Sequence, residues 1–144
     1  MSGGAALSPP ISVVVPVKDE AGNVGPLARE IAAALAGESH EILFVDDGSS
    51  DGTAAALMGL KSEIPQLRVL RHSRNLGQSR SIRSGVAAAR GEIIVTLDGD
   101  GQNDPADIPK LLAVLRGEPQ TAQAVTVDEQ SATITPDHSS ALGG

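Results

Sequence analysis

Four short apolar runs, each followed by a polar loop and a helix-like repeat, set the pattern of hydrophobic and polar positions along the chain. The runs are rich in Val, Ile and Leu, as is typical of strands that are buried on both faces. They span residues 11–16, 41–45, 67–71 and 93–97. Between them, apolar residues recur at helical spacing, as at Leu27, Ile31 and Leu35. This order predicts an α/β fold with a mostly parallel, doubly wound sheet and helices on both faces.

The first predicted helix carries sequence signals at both ends. Asn23 can cap its amino end, and Pro26 fits a first helical turn, where the N–H is unpaired anyway. Gly37 is a typical residue for ending a helix. We therefore predict a helix between Asn23 and Gly37.

Acidic residues follow two of the predicted strands directly. Asp46 and Asp47 come after the second strand, and Asp98-Gly99-Asp100-Gly101 comes after the fourth. Ligands of open parallel sheets bind outside the carboxyl ends of the strands. Two carboxylates fixed there repel each other unless a cation lies between them, and Mg²⁺ or Mn²⁺ binds carboxylates together with substrate phosphate oxygens. The pattern predicts a site for a metal and a diphosphate.

Two simpler interpretations of the Asp98–Gly101 segment compete with this one. Asp and Gly are common turn residues, so the segment alone is also compatible with an ordinary turn. An EF-hand calcium loop starting at Asp98 needs Gly at its sixth position and Glu at its twelfth. The chain has Asn103 and Pro109 there, which excludes the calcium loop.

Composition narrows the class of function. The net charge is −7, Phe44 is the only aromatic residue and there is no cysteine. These values argue against nucleic-acid binding, disulfides and thiol chemistry. No apolar run is long enough to span a bilayer, and residues 1–10 lack the features of a signal peptide and are expected to be disordered. We therefore expect a cytoplasmic location, with peripheral contact to a membrane left open.

One stretch of the chain is rich in arginine. No acidic residue lies between Glu63 and Glu92, whereas six arginines do. We expect most of them to form a solvated face and one or two to meet the diphosphate, because arginine binds phosphate in a bidentate manner. His72, in the same stretch, is predicted to be a loop residue.

Four motifs of the chain carry a resemblance to a known family. They are Val-Val-Val-Pro-Val-Lys-Asp-Glu-Ala-Gly-Asn at 13–23, Val-Asp-Asp-Gly-Ser-Ser-Asp-Gly-Thr at 45–53, Arg-Asn-Leu-Gly-Gln at 74–78 and Leu-Asp-Gly-Asp-Gly-Gln-Asn-Asp-Pro at 97–105. Together they resemble the family 2 glycosyltransferases, which have the Rossmann-like GT-A fold. The resemblance is strongest to the polyprenyl-phosphate or dolichyl-phosphate mannosyltransferases and glucosyltransferases.

The resemblance implies an inverting, metal-dependent transfer of a sugar from GDP-mannose or a UDP-sugar to an acceptor such as polyprenyl phosphate. Pro16 and Glu20 would line the nucleotide pocket, and Asp46 or Asp47 would touch the base. Asp98 and Asp100 would hold Mg²⁺ or Mn²⁺ and the diphosphate. Asp100 would be the catalytic residue, and Gln102 would support the metal site.

The resemblance implies a domain organisation as well. It covers residues 11–117, whereas 118–144 has four acids, no Lys or Arg and no clear apolar period, which predicts disorder. Family members continue well beyond this point, so we expect a truncated, donor-binding half whose sheet ends at the strand that begins at Ile93.

Two other functions remain open on the sequence alone. One is a non-catalytic nucleotide-sugar-binding remnant without acceptor chemistry. The other is a nucleotidyltransferase, which would usually place a glycine-rich, basic loop after the first strand, and residues 16–23 do not form such a loop.

Overall fold

The alternation of strands and helices expected from the sequence is present in the computed structural model, which describes residues 10–98, 104–117, 123–127 and 132–136. Strands and helices alternate through the first four strands. The strands are β1 (Ile11–Val17), β2 (His40–Asp47), β3 (Leu67–His72), β4 (Ile93–Thr96), β5 (Gln123–Val127) and β6 (Ala132–Pro136). The helices are α1 (Ala21–Ala34), α2 (Thr53–Leu60), α3 (Gln78–Ala88) and α4 (Ile108–Arg116), the last preceded by a 3₁₀ turn at Pro105–Asp107.

The strands form one sheet in the order β3-β2-β1-β4-β5-β6. All neighbouring pairs are parallel except β5 and β6, which run antiparallel. Ile11 of β1 is in register with His40 of β2 on one side and with Ile93 of β4 on the other. The chain therefore winds outward from β1 in one direction and then crosses back to β4, so the strand order reverses between β1 and β4.

Helices cover both faces of this sheet, as predicted for a doubly wound fold. Alternate side chains of a strand point to opposite faces. On one face, Val13 and Phe44 belong to the larger core, which α1, α2 and α4 cover. On the other face, Val14, Val45 and Ile94 form a smaller cluster that packs against α3. The predicted α/β class with a mostly parallel sheet is confirmed.

The approach of α3 to the sheet is close because residue 85 has no side chain. A Cβ atom at Gly85 would overlap Cγ1 of Val14 and lie 3.1 Å from Cγ2 of Val45. Val14 and Val45 are fully buried. Glycine at this position therefore sets the distance between α3 and the strands whose ends form the site described below.

A buried carboxylate ties three strands together at the end of the sheet where these strands begin. Oε2 of Glu41 accepts hydrogen bonds from the Ser12 hydroxyl at 2.6 Å and the Arg90 N–H at 2.7 Å, and Oε1 accepts one from Arg68 at 2.5 Å. Burial acts to raise the pKa of Glu41, but these hydrogen bonds and the Arg68 charge outweigh it and lower the pKa. Glu41 thus stays ionised and holds the connection from α3 to β4.

The first helix begins earlier than the sequence signals suggested. It starts at Ala21, because the carbonyl of Glu20 already accepts hydrogen bonds from the N–H groups of Asn23 and Val24. Asn23 therefore does not cap it, and Pro26 lies inside the helix. The helix ends at Ala34, before Gly37.

The segment after α4 also differs from the expectation. Within residues 118–144, for which disorder was predicted, β5 and β6 are strands of the same sheet. The sheet does not end at β4, because β5 pairs with it in parallel. Val and Thr in β5, and Thr and Ile in β6, are β-branched residues that favour strands. The remaining residues of 118–144 lie outside the described part of the chain.

None of the helices in the described part of the chain combines the length and the apolar character needed to cross a membrane.

Candidate functional site

A cleft of about 410 Å³ opens at the carboxyl ends of β1, β2 and β4. It lies where the strand order reverses, which is where open α/β sheets bind their ligands. Side chains and backbone from four connections line it. These residues are Pro16, Val17, Lys18, Glu20, Asp47, Asn75, Gly77, Gln78, Ser81 and Asp98.

The two neighbouring acids at the end of β2 point to opposite faces of the sheet. Asp47 lies on the α3 face, lines the cleft and is 4% exposed. Asp46 is fully buried on the other face, where its Oδ1 accepts the Ser49 N–H at 3.0 Å and Oδ2 lies 3.7 Å from Nε of Arg71. Of the two residues predicted to touch a base, only Asp47 is therefore part of the described cleft.

The carboxylate of Asp47 anchors the segment that joins β3 to α3. Its Oδ1 contacts Nδ1 of His72 and accepts the Leu76 N–H, both at 2.8 Å, and its Oδ2 accepts the Gly77 N–H at 2.8 Å. Burial acts to raise the pKa of Asp47, but these hydrogen bonds outweigh it and lower the pKa. Asp47 is therefore ionised at neutral pH, and three of about four acceptor positions on its oxygens are used within the chain.

Two glycines let this segment lie against the end of β2. Gly48 has φ +71°, and a Cβ atom there would overlap the backbone carbon of Arg74 and lie 2.6 Å from the Asn75 nitrogen. Gly77 has φ +103°, a conformation that side chains rarely adopt. The wall of the cleft formed by Asn75, Gly77 and Gln78 is thus fixed by backbone packing as well as by Asp47.

His72, which was predicted to be a loop residue, is the last residue of β3 and bridges two side chains. Its Nδ1 lies 2.8 Å from Asp47 and its Nε2 lies 2.9 Å from Oγ of Ser84. The order of Ser, His and Asp resembles a hydrolase triad. However, neither Ser84 nor His72 lines the cleft, and Asp47 also accepts two backbone N–H groups. The arrangement ties α3 to the ends of β2 and β3.

Asp98 follows β4, is half-buried and lines the cleft, and β1 lies between its strand and β2, which Asp47 ends. Its Oδ1 accepts a hydrogen bond from Nε2 of Gln78 at 2.9 Å. A half-exposed carboxylate in an open cleft has the oxygen donor chemistry that Mg²⁺ and Mn²⁺ prefer, and these ions take their remaining ligands from water and phosphate. Asp98 thus supplies one donor of the kind that such an ion takes, and its role as a metal ligand stays a prediction. Asp100 and Gln102, the other predicted members of the metal site, lie outside the described residues.

The loop between β1 and α1 contributes Lys18 and Glu20 to the cleft, and it is tied to the loop after β2. Asp19 has φ +54°, and its Oδ1 accepts the Ser50 N–H at 2.8 Å, which is the main cause of its lowered pKa. The N–H of Glu20 donates to Oγ1 of Thr53 at 2.9 Å. These bonds hold Lys18 and Glu20 at the cleft, which Pro16 of β1 also lines.

The arginines between Glu63 and Glu92 are not among the residues that line the described cleft. Arg68 pairs with Glu41 at the far end of the sheet, and Arg71 lies on the face opposite α3. Arg74, Arg80 and Arg83 are exposed. Among the described residues lining the cleft, the cation is Lys18. The expectation that one or two arginines meet a diphosphate gains no support from the described cleft.

Comparison with known proteins is decisive for the family. Residues 12–141 match the family model described as glycosyl transferase family 2, which is most of the chain. The chain belongs to glycosyl transferase family 2. The match extends beyond residue 117, where the resemblance seen in the sequence ended, and it includes β5 and β6.

Curated family 2 relatives act on lipid phosphates, to judge by their names. The chain is 43% identical over 108 residues to a dodecaprenyl-phosphate galacturonate synthase of Rhizobium johnstonii, with 73% of this chain and 32% of the relative covered. It is 42% identical over 106 residues to an undecaprenyl-phosphate 4-deoxy-4-formamido-L-arabinose transferase of Enterobacter sp., covering 72% and 32%. The chain therefore spans about a third of the length of these relatives.

Solved structures support the GT-A fold. A mannosyltransferase from Pyrobaculum calidifontis, in complex with GDP-Man and Mn²⁺, superimposes with a TM-score of 0.67 at 23% identity, covering 78% of this chain and 33% of that one. TarS of S. aureus, in complex with UDP-GlcNAc, gives a TM-score of 0.62 at 20% identity, covering 74% and 31%. At these identities the likeness shows the fold alone.

Four of the ten residues that line the described cleft are among those that the family resemblance indicated. These four are Pro16, Glu20, Asp47 and Asp98. Among those it missed, Asn75, Gly77 and Gln78 belong to the Arg-Asn-Leu-Gly-Gln motif, which carried the family resemblance without any role for its single residues. The two polar residues Asn75 and Gln78 beside Gly77 were the sequence feature that could have indicated a binding segment here. Lys18 likewise belongs to the motif at 13–23, whereas Ser81 lies outside all four motifs and gave no signal.

Proposed function

We propose that this chain binds a nucleotide-diphosphate sugar, either GDP-mannose or a UDP-sugar, and serves its inverting transfer to polyprenyl phosphate. The observation that carries this proposal is the cleft at the reversal of strand order, with Asp47 on one wall and Asp98 on the other. Family membership and the lipid-phosphate acceptors in the names of curated relatives support the same function.

Each part of the donor has a proposed partner in the cleft. Pro16 and Glu20 line the nucleotide pocket, and Asp47 accepts a hydrogen bond from the base with its remaining acceptor position. Asp98 holds Mg²⁺ or Mn²⁺ together with Asp100, and Gln102 supports that site. Lys18, which also lines the cleft, adds positive charge for an anionic donor.

The residues of the chain contribute to the reaction mainly by positioning the donor and by binding the ion that stabilises charge. When bound, the divalent ion neutralises the negative charge that develops on the departing nucleoside diphosphate. Asp98 fixes the place of that charge at the end of β4, and Asp47 fixes the nucleoside at the end of β2. A phosphate acceptor is already anionic at neutral pH, so it needs little help from a general base. Because this acceptor is a lipid, we propose that the reaction takes place at the cytoplasmic face of a membrane.

Binding of UDP, GDP and their sugars, measured by calorimetry with Mn²⁺ and with EDTA, tests the donor site. The parent is expected to bind one nucleotide more tightly with Mn²⁺. Asp98→Asn should lose that gain, weakening binding in Mn²⁺ by about tenfold or more, which corresponds to about 1.4 kcal/mol. Asp107→Asn is the matched control, because its carboxylate lies outside the cleft and faces Lys110 at 3.5 Å.

Transfer is tested on the same chain with labelled donor and polyprenyl phosphate. Label in the lipid fraction that depends on Mn²⁺ and on Asp98 would support the whole proposal. Mn²⁺-dependent donor binding without any transfer would limit this chain to the donor-binding role. If no nucleotide binds more tightly with Mn²⁺ than with EDTA, the proposed metal–diphosphate site is wrong.

A further inference from the structure

The geometry points to Gln78 as a positioning residue for the metal site, which holds the carboxylate of Asp98 in place through its side-chain amide. This inference rests on the proposed function, because it gives Gln78 a task only if Asp98 binds the divalent ion. It assigns to the start of α3 a part in metal binding.

The contact itself joins two walls of the cleft. Gln78 is the first residue of α3, Asp98 follows β4, and both line the cleft. Nε2 of Gln78 donates to Oδ1 of Asp98 at 2.9 Å, which is a normal hydrogen-bond length. A neutral amide is suited to this task, because it orients a carboxylate without cancelling the negative charge that a cation needs.

The position of Gln78 is itself fixed by the end of another strand. The N–H groups of the two preceding residues, Leu76 and Gly77, both donate to Asp47 at 2.8 Å. β2 and β4 are not neighbours in the sheet, since β1 lies between them. Residues 76–78 therefore link Asp47, which ends β2, to Asp98, which follows β4, and they pass the carboxyl end of β1.

Such a link affects metal affinity because a ligand that is held in place loses less freedom when the ion binds. Hydrogen bonds to metal-binding side chains typically change metal affinity by about 10–100-fold when they are removed. Without Gln78, the Asp98 side chain keeps its charge and its place on the chain but loses this restraint. Metal-dependent nucleotide binding should therefore weaken more than metal-free nucleotide binding.

Gln78→Met tests the inference, because it keeps the length of the side chain and removes the donor. Gln66→Met is the matched control, since Gln66 is exposed and lies outside the cleft. For each protein, the dissociation constants of UDP and GDP are measured by calorimetry with Mn²⁺ and with EDTA. We expect Gln78→Met to reduce the gain from Mn²⁺ by roughly tenfold or more. The EDTA values should change less than the Mn²⁺ values, and the melting temperature should match that of the parent.

A second measurement observes the hydrogen bond directly. In the metal-free protein, the side-chain amide resonances of Gln78 should shift in Asp98→Asn and not in Asp107→Asn. An unchanged Gln78 resonance in Asp98→Asn would overturn the inference.

The binding outcomes separate this inference from the proposed function. If Asp98→Asn loses the gain from Mn²⁺ while Gln78→Met keeps it, the inference is overturned and the proposed function stands. If Gln78→Met weakens binding equally in EDTA, Gln78 supports the wall of the cleft in general, which also overturns the inference. If the parent gains nothing from Mn²⁺, both fail together.

Discussion

A step of one residue along β2 separates two carboxylates with different tasks. Asp46 faces the side of the sheet covered by α1 and α2, where it accepts the Ser49 N–H and is fully buried. Asp47 faces α3 and the cleft, where it accepts the N–H groups of Leu76 and Gly77. The first carboxylate stabilises the turn that follows β2, and the second shapes the cleft.

Because of this difference, we expect an asparagine to weaken nucleotide binding at position 47 and to leave it nearly unchanged at position 46. An asparagine at 47 has one acceptor oxygen where the carboxylate uses two, so Asp47→Asn loses at least one of the hydrogen bonds from the Leu76 and Gly77 N–H groups, at a cost of about 1 kcal/mol. Because those donors position Gly77 and Gln78, we expect weaker nucleotide binding, by about tenfold for each 1.4 kcal/mol. In Asp46→Asn the amide oxygen still accepts the Ser49 N–H, so binding should stay close to that of the parent. Calorimetry with UDP and GDP checks both, and equal losses at 46 and 47 would contradict the assignment.

The sequence indicated both acids correctly as a pair but could not choose between them. Their place at the end of a strand follows from the apolar run before them, and alternation puts them on opposite faces. Which face holds the cleft depends on where α3 packs, and that is decided by contacts between residues far apart in the chain. Asp98 was easier to select from the sequence, because it follows a buried apolar run. In the structure it lines the cleft.

At the scale of elements, α3 determines the shape of the site more than any other helix. It brings Gln78 and Ser81 to the cleft, and it packs on β1 and β2 through Gly85. Its amino end begins at a glycine with φ +103°, so the chain can turn sharply from the wall of the cleft into the helix.

Two glycines in helices test the importance of this packing. Alanine usually favours a helix over glycine by about 1 kcal/mol. Gly59→Ala in α2 meets nothing within 4 Å, so it should stabilise the fold by up to that amount. Gly85→Ala must push α3 away from Val14, and overpacking costs about 1–3 kcal/mol. We expect Gly85→Ala to lower the free energy of unfolding and to weaken nucleotide binding, as measured by urea titration and calorimetry. Stabilisation by Gly85→Ala would show that α3 has room to move.

Periodicity predicted the elements up to α4 and failed after it. β1, β2 and β4 contain apolar runs of at least three residues, and β3 has apolar residues at Leu67, Val69 and Leu70, so all four are visible without any knowledge of their neighbours. β5 and β6 are five residues each, and each combines three β-branched residues with Ala and with Gln or Pro. Their partners, β4 and each other, decide their structure, and a short segment does not carry that information. The start of α1 was missed for a similar reason, because the Glu20 carbonyl closes the first turn.

At the scale of the whole molecule, the sheet carries buried charge at both of its ends. The cleft lies at the carboxyl ends of the strands, whereas Glu41, Ser12 and Arg68 form a closed network at the end where these strands begin. Glu41 is 4% exposed, accepts three hydrogen bonds from the chain and does not line the described cleft. We infer that it serves stability alone, and that stability and donor binding can be changed separately.

Acid titration of Glu41→Gln tests that separation. The pKa of Glu41 is lowered in the folded chain, so its charge stabilises the fold above the ordinary value of 4.5, and this stability is lost as the pH falls through the lowered pKa. At pH 7, Glu41→Gln should cost about 1–3 kcal/mol, because its single acceptor oxygen cannot serve the Ser12 hydroxyl, the Arg68 guanidinium and the Arg90 N–H together. The gap between parent and variant in the free energy of unfolding should then narrow below about pH 4.5.

Glu63→Gln is the control for this titration, because Glu63 pairs with Arg29 in the open, where both side chains are about half exposed. Its effect on stability should be much smaller at every pH, since solvent screens exposed ion pairs. Nucleotide affinity at pH 7 should remain that of the parent in both variants, because neither residue lines the cleft. If the difference in the free energy of unfolding between the parent and Glu41→Gln stays constant down to pH 3, packing at position 41, and not its charge, holds the strands together.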